Sequence, residues 1–291
     1  MSEPPPRPAG GTSPPSGEAS VFDSPEAAER WRATADRRAA YLAEATERML
    51  DAAGVVPGVR VLDLGTGTGD TAILASRRVG PTGRVLATDI SAAMLKVATE
   101  TAAAAGLTNL DFRLADAGAL DLEASSFDAV IARFSLMFVP DVAAALAGIR
   151  QVLRAGGRLG ALVWAPADQN PFLSLTTRVA RRTGRLRIPE ERVGGPFTLG
   201  DADRLEKTAQ AAGWQEVAVE PVPIQMRLPD SAMANEALRN SPLTNSIIDA
   251  LDEPERAALQ DDVQAELEVF RAGEGYVFPG LALLLRGRNR S

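Results

Sequence analysis

The stretch Arg60-Val61-Leu62-Asp63-Leu64-Gly65-Thr66-Gly67-Thr68-Gly69-Asp70 restricts the fold of this chain more than any other. Val59, Val61, Leu62 and Leu64 read as a short buried strand, and Thr71-Ala72-Ile73-Leu74-Ala75 starts a helix. Between them, Gly65, Gly67 and Gly69 alternate. Glycines there permit positive φ and leave no Cβ between the main chain and a ligand. A strand that passes through such a turn into a helix N-terminus aims backbone N–H groups at a polar group.

The rest of the chain repeats the pattern. Arg84–Asp89 reads as a second strand, Asn109–Leu114 as a third, Phe127–Phe134 as a fourth and Arg158–Trp164 as a fifth. Helical patterns over about 71–79, 92–105 and 142–153 separate all but the third and fourth strands, which a short loop from Ala115 joins. Strands alternating with helices through short connections predict an α/β chain with a Rossmann-like, doubly wound, mostly parallel sheet. Ser24-Pro25 reads as a helix start, and Trp31, Ala35, Ala39, Leu42, Ala45, Met49 and Leu50 follow at helical spacing to Gly54, in one helix or two. Residues 1–20, rich in Pro, Gly and Ser, read as a disordered tail. Residues 21–54 are then N-terminal helices and 55–291 one further domain. Its first part is 55–165. In 166–291, helices over 170–183, 201–212 and 229–271, with strands at 215–221 and 275–286, are read as strand ends plus a helical cap.

Composition excludes several chemistries. The 291 residues contain no cysteine, hence no disulfide or thiolate chemistry, and no histidine, hence no histidine base or metal ligand. No metal site is expected. The formal charge of −7 argues against nucleic acid. The basic cluster Arg178, Arg181, Arg182, Arg185 and Arg187 reads as a solvated helix face. No apolar run reaches the ~18 residues that span a bilayer, and no signal peptide is apparent, so a cytoplasmic protein is expected.

In open parallel sheets ligands bind beyond the carboxyl ends of the strands. Asp63 ends the first strand, Asp89 the second, Asp116 follows the third and Arg133 ends the fourth. A carboxylate at Asp89 can accept from both hydroxyls of a ribose, and one at Asp116 from an adenine amino group.

On these residues, VLDLGTGTGD resembles motif I of class I S-adenosylmethionine-dependent methyltransferases, ATDIS their acidic ribose motif and LADAGAL their adenine motif. FDAVIARFSLMFVPD and LRAGGRLGALVW resemble their next strand and helix–strand turn. ARFSLMFVPD, VWAPADQNPF and GPFTLGDADRLEKTAQAAGW are similar to ubiquinone/menaquinone-type and secondary-metabolite methyltransferases. A NAD-binding domain would instead carry G-x-G-x-x-G. The resemblance implies S-adenosyl-L-methionine as cofactor, its methionine end at Gly65, Thr66 and Gly67 with Asp63 nearby. It implies ribose at Asp89, adenine between Ile90, Asp116 and Ala117, with Met94 a further candidate, and Arg133 facing the methyl group. It also implies a small-molecule pocket, for which Phe134, Met137, Phe138, Trp164, Phe172, Phe197 and Met226 are the candidates. Their apolar character points to an aromatic or lipophilic acceptor, methylated on carbon or oxygen. The alternative is a cofactor-binding cyclase or regulator. No catalytic residue is singled out, and a homodimer stays open.

Overall fold

The computed structural model describes residues 23–185, 195–231, 233, 234, 238, 248 and 250–290. The N-terminal tail and most of 232–249 lie outside the described residues.

Helix α1 (Pro25–Ala33) begins where Ser24 Oγ accepts from Ala27 N at 3.1 Å, with proline at its first position. It breaks at Thr34, and α2 (Ala35–Ala52) follows at once. The sheet then builds in the expected rhythm: β1 (Arg60–Leu64), α3 (Asp70–Val79), β2 (Arg84–Asp89), α4 (Ala92–Ala104), β3 (Leu110–Leu114), β4 (Phe127–Arg133), α5 (Val142–Val152) and β5 (Leu153–Trp164). Then come α6 (Pro171–Arg182), α7 (Ala202–Ala211), β6 (Gln215–Leu228), α8 (Glu253–Leu267), β7 (Arg271–Ala272) and β8 (Gly275–Arg288).

The strand order is β3-β2-β1-β4-β5-β8-β6, with the two-residue β7 paired to β8. The first five strands are parallel, β8 runs antiparallel to both its neighbours β5 and β6, and β6 therefore points the same way as the first five. Order reverses between β1 and β4, which is where an open sheet of this type leaves a crevice for a ligand. Helix α2 lies across β5, β6 and β8. Glycine at Gly160 lets it settle there, because a Cβ would overlap the Met49 carbonyl.

The main core runs along both faces of the sheet, from Leu62, Leu64 and Ile131 to Leu159 and Leu284. A second core, with Leu175, Val179, Met226, Leu259, Val263, Tyr276 and Phe278, lies between α6, α8 and the far halves of β6 and β8. The basic cluster lies on and just after α6; Arg178 and Arg182 are more than half exposed, as a solvated face requires, and Arg187 lies outside the described residues. Arg178 and Arg182 pair with Glu266, and Arg185 with Asp262, so the cluster fastens α6 to α8. Among the described residues, no helix is long and apolar enough to cross a membrane.

Candidate functional site

The glycine turn folds as its spacing predicts. Gly65, Gly67 and Gly69 have φ of 68°, 56° and 89°, all left-handed. Gly65 N and Thr66 N both donate to Thr88 O, at 2.8 and 2.9 Å, so the loop turns back over the end of β2. Gly67 N then donates to Asp89 Oδ2 at 2.8 Å, and Ser91 N to Asp89 Oδ1 at 2.9 Å. Asp89 therefore ties the loop to the start of α4. Burial raises its carboxyl above the usual range, against the pull of those backbone donors. Each oxygen keeps lone pairs to accept further hydrogen bonds.

Asp63 is 1 % exposed at the floor of the turn. Its Oδ2 accepts from Thr66 Oγ1 at 2.8 Å, while Oδ1 is buried with no partner among the described residues. Burial pushes this carboxyl up to about 7, the Thr66 hydroxyl and Arg133 pulling the other way. An unfolded aspartate ionises near ~3.9. The stability this group contributes is thus full below about pH 4 and is lost as pH rises through about 7, on the order of 4 kcal/mol. Asp63→Asn is expected to remove that slope: from pH 5 to 8, the wild-type melting temperature should fall more than the variant's.

Ile90 is 40 % exposed, and Leu114, which pairs with Asp89 across β2 and β3, is 58 % exposed. Exposed large apolar side chains beside a carboxylate are candidates for contact with a ligand. Asp116, exposed after β3, accepts from Gly118 N through Oδ1 at 2.7 Å, and Ala117 follows it half-buried. Met94 faces another way, into a small cluster with Ala28 and Val97 under α1.

Beyond β4, Phe134 is a non-glycine residue at φ 56°, and its ring stacks on Trp164 at 4.0 Å with 10° between planes. Ser135 Oγ donates to Leu64 O at 2.7 Å and locks this corner to β1. Trp164, Phe172 and Met226 share a void of about 20 Å³ with Asn170, Ile224 and Phe278. Phe172 meets Phe278 edge-on at 5.3 Å. Met137 is buried in the main core, and Phe138 and Phe197 pack against it rather than lining that void.

Arg133 does not stand alone. Its Nη2 donates to Asp70 Oδ2 at 3.0 Å and its Nη1 to Thr46 Oγ1 at 3.2 Å. Arg38, from α2, reaches the same Asp70 oxygen at 3.3 Å while its guanidinium lies 4.0 Å over the Trp31 ring. Trp31 in turn covers Gly67, its Nε1 3.4 Å from where a Cβ would sit. The sequence gives α1 and α2 helical spacing alone and marks no site residue on them, so Arg38 and its contact with Asp70 emerge only in the structure. The usable signal was Asp70, an acidic residue at the first position of the helix after the glycine turn.

Residues 61–157 match a methyltransferase domain family, in line with the resemblance to class I S-adenosylmethionine-dependent methyltransferases. The resemblance read from the motifs is borne out. Among relatives, the ubiquinone/menaquinone biosynthesis C-methyltransferase UbiE of Hahella chejuensis is 41% identical over 126 residues, 43% of this chain and 50% of that protein. Nocamycin O-methyltransferase of Saccharothrix syringae is 39% identical over 113 residues, 39% of this chain and 40% of that protein. The chain thus spans half or less of the length of these curated relatives. Among solved structures, the YcgJ protein of Bacillus subtilis has a TM-score of 0.55 at 21% identity, covering 85% of this chain and 99% of that one. The [4+2]-cyclase SpnF has 0.54 at 23%, covering 85% and 82%. These two share the fold.

Proposed function

We propose that this chain is an S-adenosylmethionine-dependent methyltransferase acting on a small apolar or aromatic metabolite. The observation that carries the reading is the glycine loop pinned by Gly67 N to Asp89, with the unpartnered Asp63 Oδ1 beneath it. An adenosine with an amino-acid tail needs such a pair: a carboxylate for the ribose and a buried acceptor for the ammonium of the tail. The bound cofactor would supply a methyl group on a positively charged sulfur. Asp89 would hold the ribose, Ile90, Leu114, Asp116 and Ala117 the adenine, and Gly65, Thr66, Gly67 and Asp63 the methionine end. Residues 55–165 are then the cofactor half and 166–291 the part that selects the acceptor.

The stacked Phe134 and Trp164, with Phe172 and Met226 behind them, favour an apolar or aromatic acceptor. Transfer to carbon or oxygen proceeds by in-line displacement, and holding the two partners aligned can supply most of the rate. Likeness to UbiE and to nocamycin O-methyltransferase supports both outcomes. An ammonium beside Asp63 favours its ionised form, so cofactor binding should release a proton and tighten as pH rises through about 7. Calorimetry in buffers of different ionisation enthalpy checks this.

The test of function is a panel of phenols, quinones and amines incubated with methyl-labelled cofactor, with the product structures solved. A methylated product is expected. A cyclised product without the label would move the chain to the alternative reading.

A further inference from the structure

The end of β5 carries a tryptophan with an unused donor. Trp164 is 8 % exposed, and its indole N–H donates to no described residue. A buried indole N–H ordinarily finds a partner. Trp214, also buried, does so: its Nε1 donates to Leu146 O at 3.1 Å. Trp164 borders the void of about 20 Å³, and Asn170 is the other side chain there that carries N–H donors. The Asn170 amide is engaged throughout: Nδ2 donates to Ala165 O and Leu281 O, both at 3.0 Å, and Oδ1 accepts from Leu281 N at 3.0 Å. Among the described residues, the Trp164 N–H is thus the one side-chain donor around the void that is left for a ligand.

The face of the same indole is covered by the chain itself. The Phe134 ring lies on it with centroids 4.0 Å apart and planes 10° apart. Ring quadrupoles favour offset or edge-on pairs, at about 4.5–7 Å, over such a sandwich. Phe134 also holds φ at 56°, a left-handed conformation that is rare for a bulky residue. Two unfavourable features therefore meet in one half-buried side chain. The next residue, Ser135, lies so close to Gly65 that a Cβ on the glycine would overlap it. The stacked pair thus links the glycine loop to the void. The void is about one water in size. A flat ligand reaches Trp164 only by taking the place of the Phe134 ring.

We propose that Trp164 sets the choice of acceptor. Its indole is the platform for a planar aromatic or quinone ring, its N–H donates to an oxygen on that ring, and Phe134 covers the platform until the acceptor displaces it. This rests on the proposed function and adds what apolar lining alone does not require, a flat ring and an oxygen on it. A saturated ring of the same size has no π face to stack, and a flat hydrocarbon leaves the buried N–H unpaired, which is costly.

Calorimetry on the full chain tests the proposal, with S-adenosylhomocysteine bound first and 2-naphthol, naphthalene and trans-2-decalol as probes. The wild type is expected to bind 2-naphthol roughly tenfold more tightly than trans-2-decalol. Trp164→Phe keeps a ring and removes the N–H, so 2-naphthol should bind roughly three- to tenfold more weakly while naphthalene is unchanged. Phe134→Gly suits the left-handed backbone and uncovers the platform, so both flat probes should bind several-fold more tightly. Retained S-adenosylhomocysteine binding shows that a variant is folded, and its loss in Trp164→Phe would overturn the acceptor role of Trp164. Equal weakening of 2-naphthol and naphthalene in Trp164→Phe, or equal wild-type affinity for 2-naphthol and trans-2-decalol, overturns the proposal. Flat probes that bind Phe134→Gly no better than wild type overturn the covering role of Phe134. A wild type that does not bind S-adenosylhomocysteine overturns the proposed function itself, whereas one that binds it but not 2-naphthol overturns this inference alone.

Discussion

Replacing Asp89 with alanine is expected to weaken S-adenosylmethionine binding by roughly 1.5–3 kcal/mol, the scale of a charge-assisted hydrogen bond. That is on the order of a ten- to hundredfold loss of affinity. The side chain has two tasks. It would accept from the ribose, and it already accepts from Gly67 N and Ser91 N, which hold the loop over β2 and start α4. Alanine leaves both N–H groups without that partner, so the melting temperature should also fall. Asp89→Asn keeps one acceptor oxygen and should lie between alanine and wild type in both measurements. Unchanged affinity in the alanine variant would remove Asp89 from the ribose role.

The second large effect belongs to Gly65. Its φ of 68° is left-handed, and a Cβ there would overlap the Ser135 side chain. An L-residue in that conformation costs roughly 1–2 kcal/mol, and overpacking a tight site about 1–3 kcal/mol. Gly65→Ala should therefore destabilise the fold by about 2–5 kcal/mol in denaturant titrations. Ser135 cannot simply step aside, because its hydroxyl bonds Leu64 O and its neighbour Phe134 is itself left-handed. Adding Ser135→Gly should recover the packing part and leave the backbone part, less the cost of the lost hydroxyl bond. A double variant no more stable than Gly65→Ala alone would show that the close approach is unimportant.

Residues 55–165 were legible in sequence because their signals are local. Alternating glycines, apolar runs of strand length and aspartates at strand ends each lie within a few residues of what they explain. The far half was less so. Sequence reading ended β6 at Pro221, yet the strand runs to Leu228 through Pro221 and Pro223. It lies at the sheet edge, where proline's missing N–H need not break the ladder. The helix read over 229–271 is observed as α8 at Glu253–Leu267, with much of 232–249 outside the described residues.

Charge was the hardest to read. Arg185 looked solvated until Asp262, 77 residues away, was placed beside it. Arg133 was assigned to the site, but its partners Thr46 and Asp70 lie 87 and 63 residues off. Pairings of that separation carry no periodic signal. The same reason hid Arg38, whose partner Asp70 lies 32 residues off.

The measurement that bears most directly on the central claim is calorimetric titration of the full chain with S-adenosylmethionine and, separately, with NAD. The predicted result is saturable one-to-one binding of S-adenosylmethionine, weakened by Asp89→Ala, and no binding of NAD. Tight binding of NAD with none of S-adenosylmethionine would contradict the account.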